Sequence, residues 1–142
     1  MPIPPFREDG YLPEGVHSAD MEEIRQRFGS ATPRRRELMQ HVDLWVELAR
    51  LIGASRLLLD GSFVTRKLSP NDVDAVILLP ADFDDRLREF DSIAWELQDC
   101  VYYGHPAELF FAQNEQRWQE WVGHFSRVRQ NANIKKGMVE VR

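Results

Sequence analysis

GSFVTRKLSPNDVDAVILL, residues 61–79, decides how this chain is read. It follows SRLLL at 55–59, a short apolar run that predicts a buried strand. Asp72 to Leu79, ended by Pro80, predicts a second strand. Between them lie the pair Gly61-Ser62 and a nine-residue excursion. Gly61 removes a side chain where the backbone can approach a ligand closely, and Ser62 offers a hydroxyl and an N–H suited to a phosphate oxygen. Asp72 and Asp74 are two apart on a strand and so share a face. Two neighbouring carboxylates repel each other unless a cation lies between them. Mg²⁺ bridging to substrate phosphates suits such a pair. The alternative is a polar edge strand with both aspartates in water. The preceding Gly-Ser turn and the strand–loop–strand setting favour the ligand.

Working outward, Pro2, Pro4, Pro5, Gly10, Pro13 and Gly15 rule out a long helix or a central strand over residues 1–15. We therefore expect an N-terminal arm over 1–17, partly packed through Phe6, Tyr11 and Leu12, followed by a single domain over 18–142. Ser18 is the expected N-cap of a short helix carrying Met21, Ile24 and Phe28 and closed by Gly29. The next helix is the best punctuated, with Thr32 as cap, Pro33 in the first turn and Gly53 as terminator. Leu38, Val42, Trp45, Ala49 and Ile52 form its stripe. A helix is expected from about Asp82 to Leu97, β-type stretches over Cys100–Tyr103 and Ala107–Ala112, and a helix from Gln113 to about Phe125. A short strand over Met138–Val141 ends the pattern. The fold class expected is α+β, a mixed sheet covered by helices.

Composition bounds the function. The 142 residues suit one domain. At 43% hydrophobic and 29% charged the chain can bury a core. Eighteen Lys and Arg against 23 Asp and Glu leave a net charge of −5, which argues against nonspecific duplex binding. One cysteine, Cys100, excludes an internal disulfide or a cysteine zinc cluster. No apolar run is long enough to span a bilayer, and the first residues lack a signal-peptide layout, so a cytoplasmic protein is expected.

Gly61-Ser62, a nine-residue spacer and Asp72-Val73-Asp74-Ala75 resemble the signature of the DNA polymerase beta-like nucleotidyltransferase superfamily. Asp60 stands where that pattern carries an apolar residue. A further likeness is to small bacterial proteins with YLPxGxH near the start and DGSFVTxK before the aspartates, matched here by residues 11–17 and 60–67, with a weaker continuation at Lys136-Gly137-Met138-Val139. The resemblance implies a nucleotidyltransferase-like mixed sheet flanked by helices. It implies that Asp72 and Asp74 bind Mg²⁺ or Mn²⁺ and that Gly61 and Ser62 seat a nucleoside triphosphate. A third carboxylate usually completes such a site; Glu108 in PAELFFA fits best, as metal ligand and general base, with Asp99 the weaker substitute.

Transfer from a triphosphate needs positive charge to offset the leaving pyrophosphate. Thr65, Arg66 and Lys67 are the nearest candidates, and Arg127, Arg129, Lys135 and Lys136 form a basic segment able to return to the site. Arg34, Arg35 and Arg36 open the long helix, where its dipole disfavours cations, a misfit that hints at a phosphate or protein partner. His41 and His105 read as structural, the four tryptophans as helix packing, and Cys100 as a small hydrophobe. The acceptor hydroxyl would belong to a protein, an RNA end or a small molecule. The resemblance also implies a toxin–antitoxin setting, in which a toxin is the protein partner, and homo-oligomers are an open alternative. The competing expectation is a catalytically inactive relative that binds nucleotide or neutralises a partner.

Overall fold

The computed structural model describes residues 2–142. Five strands form one mixed sheet: β1 (Gly15–Ala19), β2 (Arg56–Asp60), β3 (Val73–Leu78), β4 (Ala107–Ala112) and β7 (Gly137–Val141), in spatial order β1-β7-β2-β3-β4. β1 runs parallel to β7 and β3 parallel to β4, while β2 is antiparallel to both its neighbours. A separate hairpin joins β5 (Arg127–Val128) to β6 (Asn131–Lys135). The helices are α1 (Met21–Phe28), α2 (Pro33–Ile52), α3 (Phe83–Arg88), α4 (Ser92–Tyr103) and α5 (Glu115–Phe125). The chain is thus α+β, with a mixed sheet flanked by helices on both faces. Among the described residues, no helix is long and apolar enough to cross a membrane.

Strand alternation divides the core in two. Leu57, Leu59, Ala75, Ile77, Leu109 and Val139 join Ile24, Phe28, Leu38, Val42, Trp45, Ala94 and Leu97 in the larger cluster, which belongs to α1, α2 and α4. On the opposite face, Leu58, Val76, Leu78, Ala112 and Met138 pack with Trp118 of α5. On this second face β2, β3 and β4 run from the row Arg56, Leu78, Ala112 through the apolar row Leu58, Val76, Phe110 to the row Asp60, Asp74, Glu108.

The long helix forms as its punctuation predicts: the Thr32 hydroxyl accepts from the Arg35 N–H, and Gly53 closes it in the left-handed region at φ 83°. Other boundaries moved. Ser18 lies in β1, and Asp20 caps α1 by accepting from the Glu23 N–H. Residues 15–17, assigned to the arm, belong to the sheet, and Ile3 and Leu12 are core residues, so the arm is part of the body. The helix expected over 82–97 is two helices. Phe90 turns out at φ 60°, and Asp91 caps a fresh helix through the N–H groups of Ile93 and Ala94. That helix runs on through Cys100–Tyr103, correcting the β assignment there: Ile93, Ala94, Leu97, Cys100 and Val101 share its inner face. Tertiary packing overrides the β preference of Val and Tyr.

The 11–17 and 136–139 motifs meet. Gly15 is paired with Gly137, and the Gly137 N–H donates to the Leu12 carbonyl at 3.0 Å. A Cβ on Gly137 would lie 2.1 Å from the Pro13 carbonyl oxygen and 2.8 Å from the Leu12 Cβ. We expect Gly137→Ala to lose about 3 kcal/mol or more, because backbone cannot step aside as a flexible side chain does. The midpoint of urea unfolding checks this.

Candidate metal and phosphate site

β2, β3 and β4 place Asp60 opposite Asp74, and Asp74 opposite Glu108. Directly opposed residues project from the same face, so three carboxylates stand in a row across the sheet. α5 covers the apolar rows beside them and stops short of this one. The uncovered end is a cleft of about 1270 Å³ that Gly61, Ser62, Asp72, Asp74, Glu108 and Lys136 help to line. Asp72 sits one residue ahead of β3, yet its carboxylate borders the same cleft as Asp74.

The row is electrostatically loaded. Burial first, then the charges of Asp72, Asp60 and Glu108, push the Asp74 carboxyl up to about 7 against a smaller pull from Lys136. Burial pushes Asp60 up to about 6, opposed by its buried ion pair with the Lys136 ammonium. Asp74 accepts no hydrogen bond among the described residues, and Asp72 accepts through Oδ1 alone. No buried side-chain N or O among the described residues lacks a partner, so these unbonded oxygens face the cleft.

Gly61 and Ser62 do something other than expected. Gly61 adopts φ 87° and ψ −177°, a region open in practice to glycine alone. A Cβ there would meet the Asp72 carbonyl at 3.1 Å and the Asp74 nitrogen at 3.2 Å. The close approach in this structure is by the chain's own residues 72–74. The Ser62 N–H donates to Asp72 Oδ1 at 2.9 Å and its hydroxyl to the same oxygen at 2.8 Å. Both donors expected for a phosphate therefore fix Asp72. The Ser62 hydroxyl also accepts from the Asn71 and Asp72 N–H groups. The Thr65 hydroxyl, another expected phosphate contact, donates to the Ser62 carbonyl at 2.6 Å and stabilises the turn. The Lys67 side chain borders the cleft.

The arginine triplet has its answer inside the chain. Arg35 is buried and donates to the carbonyls of Phe28, Phe63, Thr65 and Lys67. Arg34 donates to those of Pro70 and Asn71, and Arg36 to that of Ser30. The backbone of the 63–71 excursion thus takes most of the donors of Arg34 and Arg35, and the Ser30 carbonyl that of Arg36. Arg66 likewise donates to the Glu8 carbonyl.

Residue-by-residue reading missed one wall of the cleft. Phe110, two positions after Glu108, Trp121, His124 and Phe125 form an aromatic cluster along it, with His105 nearby. Alternation on β4 places Phe110 on the Glu108 face, but the sequence says nothing of where α5 lands. Arg127, Arg129 and Lys136 of the basic segment do return to the cleft, whereas Lys135 pairs with Glu14.

A family model described as a family of unknown function, DUF6932, matches residues 4–142. The chain belongs to DUF6932. No curated protein and no solved structure matches it.

The DUF6932 site can be tested for a cation on its own donors. Among the described residues, no three or more His, Cys, Asp or Glu side chains are grouped so as to hold a metal ion together. Mg²⁺ does not need such a group, since it commonly takes one or two carboxylates and completes its octahedron with water and phosphate oxygens. The free Asp72 oxygen and the unbonded Asp74 carboxylate, crowded by like charge, fit that requirement. Ser62, which fixes Asp72 Oδ1 through two donors, would then orient a ligating carboxylate. Its replacement by alanine in this DUF6932 protein is expected to weaken Mn²⁺ binding about 10- to 100-fold, as measured by titration calorimetry.

Proposed function

We propose that this protein is a metal-dependent nucleotidyltransferase with a nucleotidyltransferase-like sheet, moving a nucleoside monophosphate from a triphosphate to an acceptor hydroxyl. The observation that carries the reading is the row of opposed carboxylates beside Asp72 at the open end of the sheet face that packs against α5. Such a concentration of acid, with only Lys136 paired into it, is costly to fold unless it holds a cation.

Asp72 and Asp74 would hold Mg²⁺ or Mn²⁺, which supplies Lewis-acid stabilisation of the phosphoryl oxygens. Glu108, across from Asp74, would take the proton from the acceptor hydroxyl as its oxygen attacks the α-phosphorus. The bond from the α-phosphorus to the bridging oxygen breaks, and pyrophosphate leaves. Lys67, Arg127 and Arg129 border the cleft and offset the leaving charge. A phosphate seat at Gly61-Ser62 requires the Ser62–Asp72 bonds to open on binding.

The test is label transfer from α-labelled and γ-labelled triphosphates to lysate protein and RNA with Mn²⁺ present. Transfer of the α label alone is expected. Asp72→Asn with Asp74→Asn should reduce it by about 1000-fold or more. A second reading, nucleotide binding without transfer, is favoured by one observation, the commitment of both Ser62 donors to Asp72. Triphosphate binding by calorimetry with no label moved to any component would establish it over the first.

A further inference from the structure

Lys136 is the one residue of the basic segment that reaches the acidic row as a buried side chain. Its ammonium bonds Asp60 Oδ1, with the lysine side chain 10% exposed and the aspartate 5%. The lysine is held from both sides along the backbone. Its own N–H donates to the Ser126 carbonyl at 2.7 Å, and the next N–H, of Gly137, to the Leu12 carbonyl at 3.0 Å. Gly137 must lack a side chain for the 12–13 segment to pass, so the chain is built to bring the lysine here.

Its partner is the informative part. Asp60 lies directly opposite Asp74, and side chains so placed have Cβ atoms about 4.5–5.5 Å apart, within the span of two carboxylates sharing one ion. The equivalent places in the next row, Leu58 and Val76, are apolar and fully packed. A buried ion pair is seldom the more stable choice over apolar packing, so its presence beside the row calls for a role there.

We propose that Lys136 stands in for a second cation: its ammonium, held on Asp60, restricts the cluster of Asp60, Asp72, Asp74 and Glu108 to one divalent ion and supplies the other positive charge itself. This rests on the metal-site reading above and assigns its occupancy. With the lysine removed, Asp60 and Asp74 become an open pair that takes a second ion.

The experiment counts Mn²⁺ bound per full-length chain at pH 7.5, by calorimetry and by the loss of the free-ion electron paramagnetic resonance signal, without nucleotide. The wild type is expected to bind one and Lys136→Met two, with Asp60→Asn plus Lys136→Met returning to one. A role limited to holding the fold would move stability without moving this count. If Lys136→Met is unfolded without metal, the count is made on protein refolded by Mn²⁺. Two ions per refolded chain support the proposal; one ion, or no refolding, overturns it. Two ions on the wild type, or one on folded Lys136→Met, sink this inference and leave the metal site standing. No uptake by the wild type sinks both.

Discussion

Asp74→Asn is expected to melt higher than the parent protein at pH 7.5 and to bind no divalent cation. The reason is the sign of the Asp74 shift. Its carboxyl, ordinarily ionised above about 3.8, is held protonated in the folded chain until about 7 by burial and by the charges of Asp72, Asp60 and Glu108. The folded state therefore binds a proton that the unfolded state has released, and the resulting stabilisation is full below the ordinary value. It drains away as pH rises from about 4 to about 7 and is gone above that. Each unit is worth about 1.4 kcal/mol, and the opening to the cleft screens part of it, so a loss of about 1–3 kcal/mol is expected across the window. Asparagine carries no charge to desolvate, and the variant should keep that stability at pH 7.5. Asp60, pushed up to about 6 by burial, leaves it a smaller residual slope ending near that value. Melting curves from pH 5 to 8, with and without Mn²⁺, check this. The wild type should regain stability from Mn²⁺ at pH 7.5 and little at pH 5, and the variant from neither. A wild-type melting temperature that stays flat over this range would overturn the account of the row.

The second large effect belongs to Arg35. Its guanidinium is buried without a carboxylate partner, and burial lowers its affinity for the proton. Four carbonyl dipoles hold it, from Phe28, Phe63, Thr65 and Lys67. Three of the four belong to the excursion between the Gly-Ser turn and Asp72. Arg35→Met leaves those oxygens without donors, at a cost of about 3–5 kcal/mol. Arg35→Lys should recover only a part, since an ammonium has three donors and no planar fork. Urea unfolding gives the stability. Trypsin gives the location: cleavage after Arg66 and Lys67 should accelerate far more than at the other basic residues. Mn²⁺ affinity should fall with it, because Ser62 and Asp72 bracket the loosened segment.

These two residues also mark how far the sequence could be read. Asp72 and Asp74 were legible because their two-residue spacing is a local signal, Glu108 through the resemblance, and all three border one cleft. Asp60 was visible as an acid in an apolar place, but nothing nearby in the chain names Lys136, 76 residues on, as its partner. The two donors of Ser62 suit a phosphate oxygen when read locally, and the carboxylate that takes them in the structure lies ten residues on. The arginines of α2 conflicted with the helix dipole, and the carbonyls that resolve the conflict lie about thirty residues downstream. Helix α2 was fully punctuated by Thr32, Pro33 and Gly53. The break at Phe90 was not, because a capping aspartate inside an apolar period reads as a surface residue. β1 and the β5–β6 hairpin carry little local signal: β1 exists because β7 lies beside it.

That last dependence governs how the molecule is made. β7 lies between β1 and β2 in the sheet although only Arg142 follows it in this sequence. On the ribosome, β2, β3 and β4 can assemble as soon as they emerge, but β1 has no strand partner until residues 137–141 arrive. A chain interrupted before Gly137 would thus leave β1 without a strand partner and expose one edge of β2 to chaperones and proteases. Quality control of this protein is expected to hinge on β7.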